Sequence, residues 1–344
     1  MTRLASVLTT PLAPEDFLNL VNPLASARQL RGVVTAVVPE TADSATIRFR
    51  PGRGWDPHLA GQWARIGVEI DGVRQWRSYS LSAPEGADPA ITVTAMGRVS
   101  GALVHGTKPG DVLFLAPPQG DFTLPTHPRP LLMLTAGSGI TPVMSMIRTL
   151  IPRRQDADVV LVHVARSPAD ALFLEELHET ADQFPGLTFL PWFPDERGRR
   201  PDFTMLTDLE ALCPDWRDRA AYSCGPASLV DDVEALWAAE GGELTIERFA
   251  PVLLEGAGGE GGRITFEKSD VEVDADGATP LLDAGESAGV LMPSGCRMGI
   301  CRSCLIPLVA GQVRDLRTGE VHGEEGDLVQ TCVNAAAGPV HLDL

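Results

Sequence analysis

Short runs of aliphatic, β-branched and aromatic residues occupy 33–38, 45–49, 64–70, 75–81, 90–95 and 112–116, separated by turn-formers such as Pro51-Gly52, Asp71-Gly72 and Pro109-Gly110. Several short strands at this spacing predict an antiparallel β-barrel over 30–127. From 128 to 250 the pattern changes. Strand-length apolar runs at 131–134, 159–164, 187–190 and 220–223 alternate with helix-length stretches at 142–150, 169–183, 206–212 and 227–239. That alternation predicts an α/β domain built on a parallel sheet. Ahead of the barrel, 1–29 is an extension in which 14–21 is a short amphipathic helix candidate.

The run Leu-Glu-Gly-Ala-Gly-Gly-Glu-Gly-Gly at 254–262 is a flexible connector by composition, and 251–262 is expected to be a linker. Beyond it, 263–344 forms a small third unit. A hairpin is expected from 263–266 and 271–273, a helix at 281–288, and strands at 305–309 and 340–342.

A chain of 344 residues fits two or three domains of roughly 100–200 residues each. A net charge of −18 argues against a nucleic-acid backbone or an anionic lipid surface as partner, because both need clustered Lys and Arg. A protein partner with a basic or mixed face remains. Acids clearly outnumber bases within 263–344, as a solvated acidic surface or a docking face. The first residues lack a basic start followed by a long apolar run, and no stretch reaches the ~18–20 apolar residues of a bilayer span. A soluble, cytoplasmic protein is expected, reaching a membrane only through a membrane-bound partner.

Six cysteines are present and unevenly spread. Cys296, Cys301 and Cys304 fall in Pro-Ser-Gly-Cys-Arg-Met-Gly-Ile-Cys-Arg-Ser-Cys, Cys332 follows downstream, and Cys213 and Cys224 stand apart. The spacing C-x4-C-x2-C with a distant fourth cysteine is that of a plant-type [2Fe–2S] site. Gly295 and Gly299 let the backbone curl and aim N–H groups at the sulfurs. The competing zinc site is disfavoured, since zinc prefers paired C-x2-C knuckles.

Three other segments carry candidate chemistry. Trp76-Arg77-Ser78-Tyr79-Ser80 puts Arg77 and Tyr79 on one face of a strand. An arginine can grip a diphosphate, a tyrosine can stack on a flat ring and a serine can bond a ring nitrogen. Taken alone, the segment also fits an ordinary surface strand. Met96-Gly97-Arg98-Val99-Ser100-Gly101 is a Gly-rich turn at a helix start, suited to phosphate. Thr135-Ala136-Gly137-Ser138-Gly139-Ile140-Thr141-Pro142 lies between a buried strand and a helix, where an α/β sheet binds a nucleotide. Cys224-Gly225-Pro226 ends a later strand on the same edge, so Cys224 is a crevice residue or a small buried hydrophobe.

Together, and in this order, these motifs resemble the ferredoxin–NADP reductase superfamily, followed by a plant-type ferredoxin domain. The resemblance covers nearly the whole chain from Leu30 onward. It implies an FAD-binding barrel, an NAD(P)-binding α/β domain and a β-grasp (α+β) ferredoxin domain. By resemblance, Arg77 holds the FAD diphosphate, Tyr79 stacks on the isoalloxazine, Ser80 approaches flavin N5, and Ser78 belongs to the same motif. Gly97, Val99 and Ser100 bind the pyrophosphate. Thr135 and Gly137 through Pro142 bind the nicotinamide dinucleotide, with Cys224, Gly225 and Pro226 near the nicotinamide. Tyr79, Ser80 and Cys224 form the reacting set, and Glu247 and Phe249 match a segment that closes the flavin pocket. The chain has Thr94 where relatives often carry a basic residue, which leaves tight FAD binding to other groups.

The implied activity is electron relay from NAD(P)H through FAD and the [2Fe–2S] cluster to a partner metalloenzyme. Residues 8–18 and 72–81 resemble actinobacterial reductases serving acyl-CoA (stearoyl-CoA type) desaturases, so a diiron desaturase of fatty acid metabolism is the expected partner. The alternatives are a hydroxylase, monooxygenase or ring dioxygenase as partner, a redox-sensing binding protein, and a zinc-stabilised interaction module. For the donor, Asp195 favours NADH, whereas Arg197, Arg199 and Arg200 suit the 2′-phosphate of NADPH. The balance leans to NADPH.

Overall fold

The computed structural model describes Leu24 and residues 29–70, 72–154, 156–203, 206–249, 259–295, 297, 299 and 302–344. The expected helix at 14–21, most of the expected linker, Cys296 and Cys301 lie outside the described residues. The chain forms two compact units. The first takes the chain to Val68 and Tyr79–Arg248, and the second takes Glu69–Ser78 and Phe249–Leu344.

The N-terminal sheet has antiparallel strands β1 (Arg31–Thr41), β2 (Ser44–Pro51), β3 (Trp63–Ile70), β4 (Val73–Ser80), β5 (Ala90–Thr94) and, after helix α1 (Arg98–Gly106), β6 (Val112–Leu115), of which the end of β3 and β4 as far as Ser78 count with the second unit. Their order is β4-β3-β6-β1-β2-β5. A bridge between Leu81 and Ile91 links the two ends of that order, as the barrel expectation requires. Ile47, Phe49, Ile66, Ile91 and Leu115 fill the interior. On the opposite face of β2 and β5 buried polar positions satisfy each other, as in the Thr46–Thr92 hydroxyl pair at 2.7 Å.

The α/β part contains β7 (Leu131–Ala136), α2 (Ile140–Arg153), β8 (Val159–Val164), α3 (Leu174–Gln183), β9 (Leu187–Trp192), α4 (Pro194–Arg197), α5 (Leu206–Leu212), β10 (Ala220–Gly225), α6 (Ala227–Glu240) and β11 (Leu244–Arg248). The strands are parallel in the order β11-β10-β7-β8-β9. Both faces are covered, which explains the continuous apolar runs. Leu131, Met133, Leu161 and Tyr222 pack with α2 and Phe122 on one face, while Leu132, Leu134, Val162, Trp216 and Trp237 pack on the other. Arg148 of α2 donates to Ser82 O at 2.7 Å and so ties this sheet to the strand end after β4.

Two expectations change here. The helix expected over 169–183 starts at Leu174. A 3-10 turn at Pro168–Asp170 and a left-handed Phe173 (φ 58°) interrupt it, and no apolar pattern signals that break. A fifth strand, β11, is present where none was expected, because Leu-Thr-Ile-Glu-Arg carries only two strong apolar residues and its side chains are only half-buried.

The second unit contains β12 (Gly262–Phe266), β13 (Val271–Ala275), α7 (Leu281–Ser287), β14 (Leu305–Asp315), β15 (Val321–His322), β16 (Leu328–Gln330) and β17 (Asn334–Leu342). The order is β13-β12-β17-β14-β15, with β12 and β17 parallel and β16 paired to β14. Ile264, Phe266, Leu282, Ile306 and Val340 form its core. β14 and β17 run longer than expected because Gly311 (φ 94°) and Gly338 (φ 106°) bend them while pairing continues. Gly262, read as linker, starts β12, and a Cβ there would sit 1.9 Å from Gly338 O.

Candidate functional site

At the C-terminal edge of the parallel sheet, β7 runs through Thr135 into the turn Gly137–Gly139 and then into α2. A Cβ on Gly139 would fall 2.1 Å from Cys224 O, so only glycine lets this turn lie against the end of β10. The two motifs that were separate in sequence therefore touch, with Gly225 also packed on Ala136 N. Thr135, Ile140, Thr141 and Pro142 are buried and shape the turn, and Thr141 Oγ1 donates to Ser138 O at 2.9 Å. Gly137 and half-buried Ser138 remain open to a ligand.

Register places Glu247, Cys224, Thr135 and His163 opposite one another on β11, β10, β7 and β8. Partners in register share a face, so these side chains form one row across the sheet. At its end, Ser80 Oγ donates to Glu247 Oε2 at 3.3 Å. Burial pushes the Glu247 carboxyl up to about 8 against the lowering effect of that bond. Burial and the neighbouring Glu247 also push the Cys224 thiol well up, so it is a neutral thiol.

On β4, Ser78 Oγ is buried and has no hydrogen-bond partner among the described residues, and Tyr79 is half-buried. Arg77 Nη1 donates to Trp76 O at 2.8 Å, and Arg77 Nη2 lies 3.6 Å from Glu286. At α1 the N–H groups of Met96 and Gly97 both donate to Ser100 Oγ at 2.9 Å, so the Ser100 hydroxyl closes the turn. Val99 is buried, and Gly97 faces open space.

Next to Gly137 is a cavity of about 590 Å³, bounded by Arg166, Asp195, Arg200, Ser228 and Asp232 among others. Of the three arginines singled out in the sequence, only Arg200 lines it. Arg199 is bonded to Asp208, and both Arg197 and Arg199 stack on Trp192. Arg166 was missed. Its signal is position, since it follows β8 directly and so falls on the same sheet edge.

In the second unit Cys304 and Cys332 are buried, with their sulfurs 3.3 Å apart. That exceeds the ~2.05 Å of a disulfide. Thr331 Oγ1 holds Cys304 O at 3.0 Å. The loop between Cys296 and Cys304 turns through left-handed Arg297 (φ 59°), Gly299 (φ 73°) and Arg302 (φ 56°). Gln330 pins it by donating to Gly299 O at 2.9 Å. Two converging soft donors beside a loop with left-handed Arg297, Gly299 and Arg302 fit an iron–sulfur cluster, and the open Gly97 turn at the start of α1 fits the diphosphate of a flavin dinucleotide.

This fold, a barrel, a nucleotide sheet and a thiol-bearing unit, defines a flavin- and iron–sulfur-dependent electron-transfer reductase. Residues 133–235 match the oxidoreductase NAD-binding domain family, and 264–336 match the 2Fe-2S iron-sulfur cluster binding domain family. The chain is 47% identical to an NADPH oxidoreductase of Mycobacterium tuberculosis, over 100% of this chain and 92% of that protein. It is 28% identical to the glycine betaine monooxygenase reductase subunit of Pseudomonas aeruginosa, over 94% and 99%. The fold matches phthalate dioxygenase reductase with a TM-score of 0.65 and 24% identity, covering 92% of this chain and 98% of that one. The chain belongs to the ferredoxin–NADP reductase superfamily, in the branch that carries a [2Fe–2S] ferredoxin domain, and is an NAD(P)H-dependent reductase using FAD and a [2Fe–2S] cluster.

Proposed function

We propose that this reductase takes electrons from NADPH and delivers them singly, from the cytoplasm, to a separate diiron acyl-CoA desaturase of fatty acid metabolism. The observation that carries the relay is the Ser80–Glu247 contact. It joins the strand expected to hold the flavin to the sheet row containing Cys224 and Thr135, so flavin and nicotinamide would meet there. When bound, FAD accepts a hydride from the nicotinamide and releases electrons one at a time to the cluster.

The chain's own residues hold and orient. Arg77, Ser78 and Tyr79 would seat the flavin beside Ser80, and the backbone at Gly97, Val99 and Ser100 would hold the pyrophosphate. Gly137 and Ser138 would take the dinucleotide phosphates, backed by Gly139, Ile140, Thr141 and Pro142. Gly225 and Pro226 would bound the nicotinamide beside the neutral Cys224 thiol. Glu247 would hold a proton next to Ser80. Cys296, Cys301, Cys304 and Cys332 would hold the cluster. Arg166 and Arg200, at the cavity beside Gly137, suit a 2′-phosphate, and the Mycobacterium tuberculosis relative is named for NADPH. The desaturase partner rests on the resemblance of 8–18 and 72–81.

An oxygenase partner is the second reading, favoured by the name of the Pseudomonas aeruginosa relative. Among the described residues no helix is long and apolar enough to cross a membrane, so a membrane-bound partner would be met at its surface. Anaerobic titration with NADPH and, separately, NADH tests the donor and cofactors. Bleaching of flavin and cluster by NADPH at far lower concentration is expected, and a colourless protein would overturn the relay. Reconstitution with a purified diiron desaturase should then yield NADPH-dependent desaturation. Electron delivery to an oxygenase alone would replace the first reading by the second.

A further inference from the structure

Strand β8 reads Val-Val-Leu-Val-His-Val, and its one polar residue, His163, is fully buried. On its face of the strand the neighbours Val159 and Leu161 belong to the apolar core. One ring nitrogen, Nδ1, lies 2.9 Å from Thr135 Oγ1. The other, Nε2, is buried with no partner among the described residues. Leaving such a group unsatisfied is costly, and an aliphatic residue would avoid it. Burial also pushes the ring down to about 4, so it is neutral at physiological pH.

What the histidine accomplishes is visible at Thr135. The threonine hydroxyl has a single proton, and two acceptors on β8 compete for it: His163 Nδ1 at 2.9 Å and Val162 O at 3.3 Å. If the hydroxyl donates to Nδ1, its proton points to β8. If Nδ1 carries a proton and donates instead, the hydroxyl turns to Val162 O, again on β8. In both arrangements Oγ1 offers only lone pairs elsewhere. Thr135 stands two residues before Gly137, where the turn begins, and lies opposite Cys224.

We propose that His163 is a positioning residue that fixes Thr135 Oγ1 as a hydrogen-bond acceptor, so that the site selects the N–H2 end of the nicotinamide carboxamide. The inference rests on the reading that Thr135 contacts the nicotinamide. The 3-acetylpyridine analogue of NADPH has a methyl group in place of that N–H2, so it can accept but not donate there.

The test compares kcat/KM for flavin reduction by NADPH and by the acetylpyridine analogue in the holoenzyme, with FAD and cluster content checked by absorbance. Wild type should prefer NADPH. His163→Phe removes the nearer of the two β8 partners and leaves only the longer contact to Val162 O, which lets the Thr135 proton turn to the acetyl oxygen and should shrink that preference about tenfold, the ratio equivalent to one hydrogen bond. His163→Gln, which keeps polar groups in the side chain, should restore most of it. A His163→Phe enzyme with full cofactor content and an unchanged preference overturns the role of His163. Thr135→Val with both rates unchanged overturns instead the reading that Thr135 touches the nicotinamide. Should His163→Phe fail to load FAD, the oxidised dinucleotides decide on wild type, because equal Kd for NADP+ and its acetylpyridine analogue rules out an acceptor-only site.

Discussion

Ser80 and Glu247 stand 167 residues apart in sequence, and the Ser80 hydroxyl meets a Glu247 carboxyl oxygen at 3.3 Å. Because burial raises the Glu247 pKa to about 8, the group keeps its proton at neutral pH and loses it as pH climbs through that value. Flavin reduction by NADPH should therefore weaken above pH 8. Glu247→Gln, neutral throughout, should lower the rate about 10²-fold, in line with the loss of a proton-handling side chain, and abolish the alkaline limb. Stopped-flow absorbance from pH 6 to 10 reads both effects, and a limb that persists in the variant would assign it elsewhere.

The sulfurs of Cys304 and Cys332 converge although 28 residues separate them. Cys332→Ser should remove the cluster's visible absorbance and its low-temperature paramagnetic signal after reduction. NADPH-driven reduction of ferricyanide, which draws on the flavin, should persist within about twofold, while reduction of cytochrome c should fall at least tenfold. These factors take the cluster as the exit for single electrons. Equal loss of both activities would show that the cysteine supports the fold and not only the exit.

Much of this was legible in the chain because it was local. Alternating strand and helix lengths marked the parallel sheet, and C-x4-C-x2-C pointed to the 2Fe-2S domain family that 264–336 match. The remainder depended on contacts that no local pattern encodes. β11 has a weak apolar signal, yet it carries Glu247 into register with Cys224. By sequence Arg199 suits a phosphate as well as Arg200 does, and only its bond to Asp208 sets it apart. Gly139 reads as an ordinary turn glycine, and only the 2.1 Å approach to Cys224 O shows why no side chain fits.

Donor choice should follow Arg166 and Arg200, which border the cavity at the sheet edge with Asp195. A charge-assisted contact to phosphate contributes about 1.5–3 kcal/mol. Arg200→Ala should therefore cut kcat/KM for NADPH by roughly 10–100-fold while leaving NADH within about threefold. Steady-state kinetics with both donors decide it. Equal losses with both would place Arg200 on a part of the nucleotide that they share.

Cys224 should be chemically quiet. The thiolate is the reactive form, and burial together with Glu247 keeps this thiol protonated. Iodoacetamide at pH 8 should leave Cys224 unmodified in the folded holoenzyme, as read by peptide mass spectrometry. Rapid alkylation would contradict the closed packing of Gly139 on the end of β10.

His163 makes the first unit acid-sensitive in a defined window. Its folded pKa, about 4, is lower than its ordinary value of 6.5, so the unfolded chain binds the proton first as pH falls. Stability from keeping the ring neutral is complete above pH 6.5 and is lost progressively between 6.5 and 4. That gap corresponds to roughly 3 kcal/mol. The urea midpoint of wild type should drop over this range beyond the drop shared with His163→Phe, which has no proton to bind. The comparison isolates one ring, because both proteins carry the same carboxylates. Parallel midpoints from pH 7 to 4 would show that His163 already takes up a proton in the folded state, through water reaching Nε2.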